Sequence, residues 1–143
     1  MGCYAQTEMG HGSNIAGIET TATLDLKTDE FVIHSPTVSS TKFWPGGMGL
    51  WANHAVVFAR AIVDENDYGV MPFMCQIREF ETHLPCKGIK VGDIGPKFGY
   101  NSKDNGWMMF DQVRVPRFNM LCRYAYFDKD GAFEMRGNPK GIY

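Results

Sequence analysis

Apolar residues in this chain alternate with polar ones over short runs, and no stretch keeps a long helical stripe. Turn-forming residues recur about every eight to twelve positions, the spacing expected of a β-sandwich or barrel. In TATLDLK, residues 21–27, Ala22, Leu24 and Leu26 stand against Thr23 and Asp25, and EFVIHS follows a Thr-Asp turn, so the two predict a hairpin. HAVVFARAIV, residues 54–63, is almost continuously apolar and rich in Val and Phe, which predicts a central strand covered on both sides. GVMPFMCQIREFE, residues 69–81, is expected to pair back on it, with Pro72 demoting its first part to an edge or a bulge.

Further strands are predicted over 88–95 and, as one element, over 105–116, followed by a single helical turn in RFNMLC, residues 117–122. In YAYFDKDGAFEM, residues 124–135, Asp130 and Gly131 supply the positive-φ positions of a tight hairpin. The chain is expected to begin inside a strand and to leave its domain after Met135, through RGNPKGIY. The pattern as a whole predicts an all-β fold, a compact barrel or sandwich of about eight mostly antiparallel strands.

With 143 residues and 44% hydrophobic content, the chain has the material for one packed core. The formal net charge is −2 and the 14 basic residues are scattered, which argues against nucleic acid as a partner. No apolar run approaches the roughly 20 residues of a membrane span, and no signal-peptide layout opens the chain, so a soluble intracellular protein without a membrane partner is expected. Cys3, Cys75, Cys86 and Cys122 are widely spaced and read as buried small apolar residues, and the four histidines are equally dispersed, so no metal site is expected. DENDYG at 64–69 and DKDG at 128–131 imitate calcium loops, lack the bidentate glutamate of an EF-hand, and are read as turns.

Two stretches offer binding chemistry. In WPGGMG, residues 44–49, glycines permit close backbone approach beside the flat face of Trp44; a tight turn around a core Trp explains the same residues. CYAQTEMGHGSN, residues 3–14, sets the hydroxyls of Thr7 and Ser13 among glycines whose N–H groups could converge on an anion or a heteroaromatic edge, or simply form a polar loop capping the barrel. Glu8 has no partner that spacing identifies.

Taken in order, GCYAQTEMGHGSN, ETTATLDLKTDEFVIHSPTVSSTKFWPGGMG, GDIGPKFGYNSKDNG and VRVPRFNMLCRYA resemble the middle β-domain of peroxisomal acyl-CoA oxidases along virtually the whole chain. The T-E-x-G-x-G-[ST] core, Thr7 to Ser13, is shared with the wider acyl-CoA dehydrogenase superfamily, whereas WPGG and GDIGPKFGY are oxidase-type signatures. The resemblance implies that residues 1–143 are the middle domain of a three-part flavoenzyme, with helical domains before and after it absent from this chain. Thr7 then matches the threonine that hydrogen-bonds FAD, and Gly46 the glycine whose backbone contacts it. Gln6, Ser13, Trp44 and Gly47 are motif neighbours expected to line the flavin or acyl-CoA thioester pocket. Met1 falls where the family has an internal aliphatic residue, which leads to the expectation of a chain cut from a longer protein.

The reaction implied is oxidation of a fatty acyl-CoA to the trans-2-enoyl-CoA in peroxisomal β-oxidation, with oxygen reduced to hydrogen peroxide. The proton-abstracting residue in this family is a glutamate of the C-terminal domain, so no residue here is expected to be catalytic and the chain alone is expected to be inactive. Acyl-CoA, the helical domains and a homodimeric arrangement of the full-length enzyme are the implied partners. Two other readings stay open: a free-standing non-catalytic subunit or binding module that reuses the fold, and an acyl-CoA dehydrogenase domain. A domain built to be sandwiched is also expected to expose a large apolar surface.

Overall fold

The computed structural model of the chain describes residues 1–136. Among them are eleven strands, more than the eight expected: β1 (Gly2–Ala5), β2 (Thr21–Asp25), β3 (Glu30–His34), β4 (Lys42–Gly46), β5 (His54–Val63), β6 (Asn66–Gln76), β7 (Ile89–Asp93), β8 (Asn105–Phe110), β9 (Val113–Pro116), β10 (Ala125–Phe127) and β11 (Phe133–Met135). The only helical pieces among the described residues are single turns, Ile15–Gly17 and Arg117–Asn119. The exit segment expected after Met135 lies almost entirely outside the described residues.

The fold is all-β, built of curled and mostly antiparallel sheets. β5 is its spine. β6 runs antiparallel along one edge of it, while the other edge is shared by two parallel strands, β1 against His54–Val57 and β2 against Arg60–Ile62. β3 follows β2 as the expected hairpin and β9 closes that side. A second sheet has the order β4-β8-β7, and β10 with β11 forms a small hairpin.

The burial pattern explains why β5 is nearly all apolar. Its inward residues Ala55, Val57, Ala59, Ala61 and Val63 are buried, and their small size leaves room for Phe31, Phe73, Phe110 and Phe127 to fill the interior. Phe31 meets Phe73 and Phe127 edge-on, at centroid distances of 4.8 and 5.9 Å. The outward face, Val56, Phe58 and Ile62, is only half-buried, so the expected cover on both sides holds for one side of the described structure.

Three local readings are corrected. Residues 105–116 form two strands in different sheets, because Asp111-Gln112 turns the chain, with Gln112 at φ 53°. In the last hairpin only Gly131 has positive φ, and the Asp128 carboxylate accepts the N–H groups of Asp130 and Ala132 instead. Cys3 and Cys75 are buried and Cys86 partly so, but Cys122 is exposed. Pro72 does lie on an edge strand, where its carbonyl accepts the N–H of Leu121 at 2.9 Å.

Candidate functional site

The two motif stretches meet because of a break in pairing along β5. β1 covers β5 up to Val57 and β2 takes over at Arg60, so the connecting segment, residues 6–20, leaves the sheet between them. Its first part runs beside β4. Phe43 N–H donates to the Thr7 carbonyl at 2.9 Å, Met9 N–H to Thr41 O at 2.9 Å, and Glu8 bridges Lys42 in an antiparallel register.

The pairing break leaves the Phe58 carbonyl facing neither strand, and Lys42 Nζ donates to it at 2.6 Å. The same ammonium donates to Glu8 Oε1 at 3.0 Å and to the Gln6 carbonyl at 3.2 Å, and neither the Lys42 nor the Glu8 side chain is exposed. The Glu8 carboxylate also accepts from the N–H groups of Glu19 and Thr20, at 2.9 and 3.0 Å, and from the Thr20 hydroxyl at 2.5 Å. His11 Nδ1 stands 3.0 Å from Glu8 Oε2. Burial pushes the Glu8 carboxyl upward, but Lys42 and these donors outweigh it and hold the group below the usual carboxylate range. Burial pulls the Lys42 ammonium down to about 8, against the opposing pull of Glu8. With its donors in place the carboxylate is ionised at neutral pH, and the pair is charged.

This network changes the reading of the glycine-rich stretch. The N–H groups of Met9, Gly10 and His11 are bonded to Thr41 O, Ser39 O and Glu8 O, so they do not converge as an anion nest. Ser13 sits exposed farther along the loop. What remains open beside β4 is the Thr7 hydroxyl, which has no hydrogen-bond partner among the described residues. The neighbouring Gln6 Oε1 accepts from the Tyr4 hydroxyl at 3.3 Å.

The WPGG segment is the end of a strand rather than a free loop. Its ladder with β8 slips between Phe43 and Gly46, where Pro45 has no N–H to offer, and Trp44 takes φ 86°. That conformation is strained for a bulky residue and turns the indole outward, 55% exposed, with Phe43 stacked beside it at 6.5 Å. The core-Trp reading is therefore excluded. Gly46 lines a groove of about 670 Å³ with Tyr4, His54, Val56 and Met74, and the Lys103 side chain occupies its Cβ side, where an added Cβ would lie 2.7 Å from Lys103 Cε. Gly47, at φ 83°, donates to Asp104 O at 2.8 Å. Arg78, buried, ties down the following loop by donating to Gly49 O and Ala52 O at 2.8 and 2.7 Å.

Gln6, Thr7, Trp44, Gly46 and Gly47 are thus brought to one end of the second sheet, and Ser13 lies exposed on the loop that follows Thr7. Lys42, Thr20 and Asn105, whose amide donates to the Trp44 carbonyl, were missed in the sequence, since the Lys42–Glu8 pair spans 34 residues, the Asn105–Trp44 bond spans 61, and no local spacing announces either. Burial holds two of the thiols protonated, pushing Cys3 up to about 11 and Cys75 up to about 12. Among the described residues no three His, Cys, Asp or Glu side chains gather into a metal-binding group.

Residues 3–113 match the acyl-CoA dehydrogenase middle-domain family. The chain is 54% identical to peroxisomal acyl-coenzyme A oxidase 1 of Arabidopsis thaliana over 145 residues, covering 99% of this chain and 22% of that protein. It is also 54% identical to the Homo sapiens protein of the same description, over 93% of this chain and 20% of the relative. Arabidopsis thaliana acyl-CoA oxidase 1 superposes with a TM-score of 0.94 at 56% identity, covering 97% of this chain and 22% of that one. Acyl-CoA oxidase-2 of Caenorhabditis elegans, solved with FAD, ascaroside-CoA and ATP, superposes with a TM-score of 0.96 at 47% identity, over 98% of this chain and 21% of that one. The chain spans about a fifth of the length of the curated relatives it matches, 22% and 20% in the two named above. It belongs to the acyl-CoA dehydrogenase middle-domain family, and the members named here, which it matches along nearly all its length, are acyl-CoA oxidases.

Proposed function

We propose that this chain is the middle β-domain, residues 1–143, of an FAD-dependent acyl-CoA oxidase of peroxisomal fatty-acid β-oxidation, and that it supplies one wall of the FAD and acyl-CoA site. The observation that carries the proposal is the juxtaposition, at one sheet end, of an unpartnered Thr7 hydroxyl, the outward face of Trp44 and the Cβ-free Gly46, on a chain that matches such oxidases over 99% of its length. These residues fit an isoalloxazine ring: a hydroxyl for a polar edge atom, an indole for a flat face and a glycine for close backbone approach.

FAD, when bound, supplies the electron-accepting chemistry. Thr7 holds the ring edge, Trp44 covers it and excludes water, and the Gly46–Gly47 backbone sets how closely it approaches. Gln6 lines the same wall, and Ser13 contributes its hydroxyl from the exposed loop that follows Thr7. The proton-abstracting carboxylate comes from outside this chain, which holds no catalytic residue of its own. The remaining walls come from helical domains before and after it and from a homodimeric partner. Exposed Tyr4, Trp51, Phe80 and Leu84 are apolar surface of the kind such domains cover.

The test is peroxide release by the full-length protein given a saturated acyl-CoA. Stoichiometric peroxide with enoyl-CoA formation supports the oxidase reading. Turnover only in the presence of an added electron acceptor would assign a dehydrogenase, and no turnover at all would favour the non-catalytic binding module.

A further inference from the structure

A buried ion pair is a poor stabiliser, because desolvating both charges consumes most of their attraction, and well-packed apolar residues commonly do as well. Glu8 and Lys42 are nonetheless placed where the candidate site is assembled. An ammonium has three N–H donors, and Lys42 spends them on Gln6 O, Glu8 Oε1 and Phe58 O, at 3.2, 3.0 and 2.6 Å. Two of those acceptors flank Thr7 in the chain. The third is the β5 carbonyl exposed by the break between β1 and β2, so the cation is anchored to the spine of the fold. Phe43, next to Lys42, donates its N–H to the Thr7 carbonyl at 2.9 Å, and Trp44 follows.

The main chain on either side of Thr7 is thereby tied to the strand that presents Trp44 and Gly46. An apolar pair of the same volume would fill the space, but it would not fix the Gln6 carbonyl or the carboxylate relative to β4. We propose that Glu8 and Lys42 are positioning residues for the flavin: their ion pair sets the separation between the Thr7 hydroxyl and the Trp44–Gly47 segment. This rests on the flavin-site reading given above. Thr20, which donates both its N–H and its hydroxyl to Glu8 Oε1, completes the arrangement from the start of β2.

The experiment measures FAD affinity and the visible spectrum of bound flavin in the full-length protein, for the wild type, the double variant Glu8→Gln/Lys42→Met, and Thr20→Val. Removing both charges together avoids stranding either one in the core, but Lys42→Met still leaves the Gln6 and Phe58 carbonyls without that donor, so the double variant is expected to fold and to melt below the wild type, while its FAD dissociation constant rises about tenfold and the flavin bands shift. Thr20→Val keeps the volume and both charges and is expected to weaken FAD about threefold. A folded double variant with wild-type affinity and spectrum would overturn the proposal and leave the pair a purely structural element. Should the double variant fail to fold, Thr20→Val decides: unchanged affinity overturns the proposal, weakened affinity supports it. A wild-type protein that binds no FAD would instead sink the flavin-site reading itself, and the positioning role with it.

Discussion

Asn105 Nδ2 donates to the Trp44 carbonyl oxygen at 2.7 Å, across 61 residues, and so clamps a tryptophan held at φ 86°. A non-glycine residue kept in that region costs of order 1–3 kcal/mol and persists only where its surroundings impose it. The strain adds little to the core, since the indole points outward and is 55% exposed. Trp44→Gly is therefore expected to leave thermal stability close to that of the wild type, the relieved strain offsetting the lost contact with Phe43, while FAD affinity of the full-length protein falls. A large drop in melting temperature would show that the indole serves packing.

Glu8 ties stability to pH on the acid side. Its carboxyl is held below the ordinary value of 4.5 in the folded chain, so as pH falls below that value the unfolded chain takes up the proton first. The stability Glu8 contributes is present above about 4.5 and is lost as pH falls toward its folded value. Urea unfolding between pH 7 and pH 3 is expected to show this loss in the wild type and a shallower one in the Glu8→Gln/Lys42→Met double variant. Parallel curves for the two proteins would refute the assignment.

Arg78 holds the loop after WPGG. Its guanidinium is buried and donates to Gly49 O and Ala52 O, so Arg78→Met strands two carbonyls that no other donor among the described residues reaches. The expected loss is about 3 kcal/mol in urea unfolding, most of it the penalty for unmet acceptors. A loss under about 1 kcal/mol would mean that the loop relaxes onto water instead.

Two glycines separate packing from ligand requirements. At Gly88, φ is 81° and an added Cβ would lie 2.6 Å from the Asp111 carbonyl oxygen, so Gly88→Ala is expected to cost well over 1 kcal/mol. At Gly12 an added Cβ meets nothing within 4 Å, and Gly12→Ala is expected to stay within about 0.5 kcal/mol of the wild type. Melting curves of the two variants check both. If Gly12→Ala folds normally yet weakens FAD in the full-length protein, the glycine serves the ligand rather than the fold.

The β2–β3 hairpin was legible in the sequence from period-two patterning and a local turn, and β5 with its return in β6 from a short, nearly continuous apolar run rich in Val and Phe that ends in a polar turn. The split of residues 105–116 was not: the buried positions are even in β8 (Gly106, Met108, Phe110) and odd in β9 (Val113, Val115), but the unbroken apolar run Trp107–Phe110 hides the phase of β8, and the left-handed Gln112 is no turn residue that sequence announces. Nor was the parallel placement of β1 and β2 on one edge of β5, a non-local pairing that leaves no mark in either strand. That pairing creates the gap Lys42 fills, which is why its partnership with Glu8 was equally invisible. Thr7 and the WPGG glycines were found through motif resemblance; their residue types alone fitted a capping loop and a tight turn as well.

The central claim is that Thr7 and the Trp44–Gly47 segment hold FAD. FAD titrated into the flavin-free full-length protein, wild type and Thr7→Val, tests it most directly. The account predicts one flavin per chain in the wild type and roughly tenfold weaker binding in Thr7→Val at unchanged melting temperature, the loss expected for one well-placed hydrogen bond. Equal affinities in the two proteins, or no flavin bound by the wild type, would contradict it.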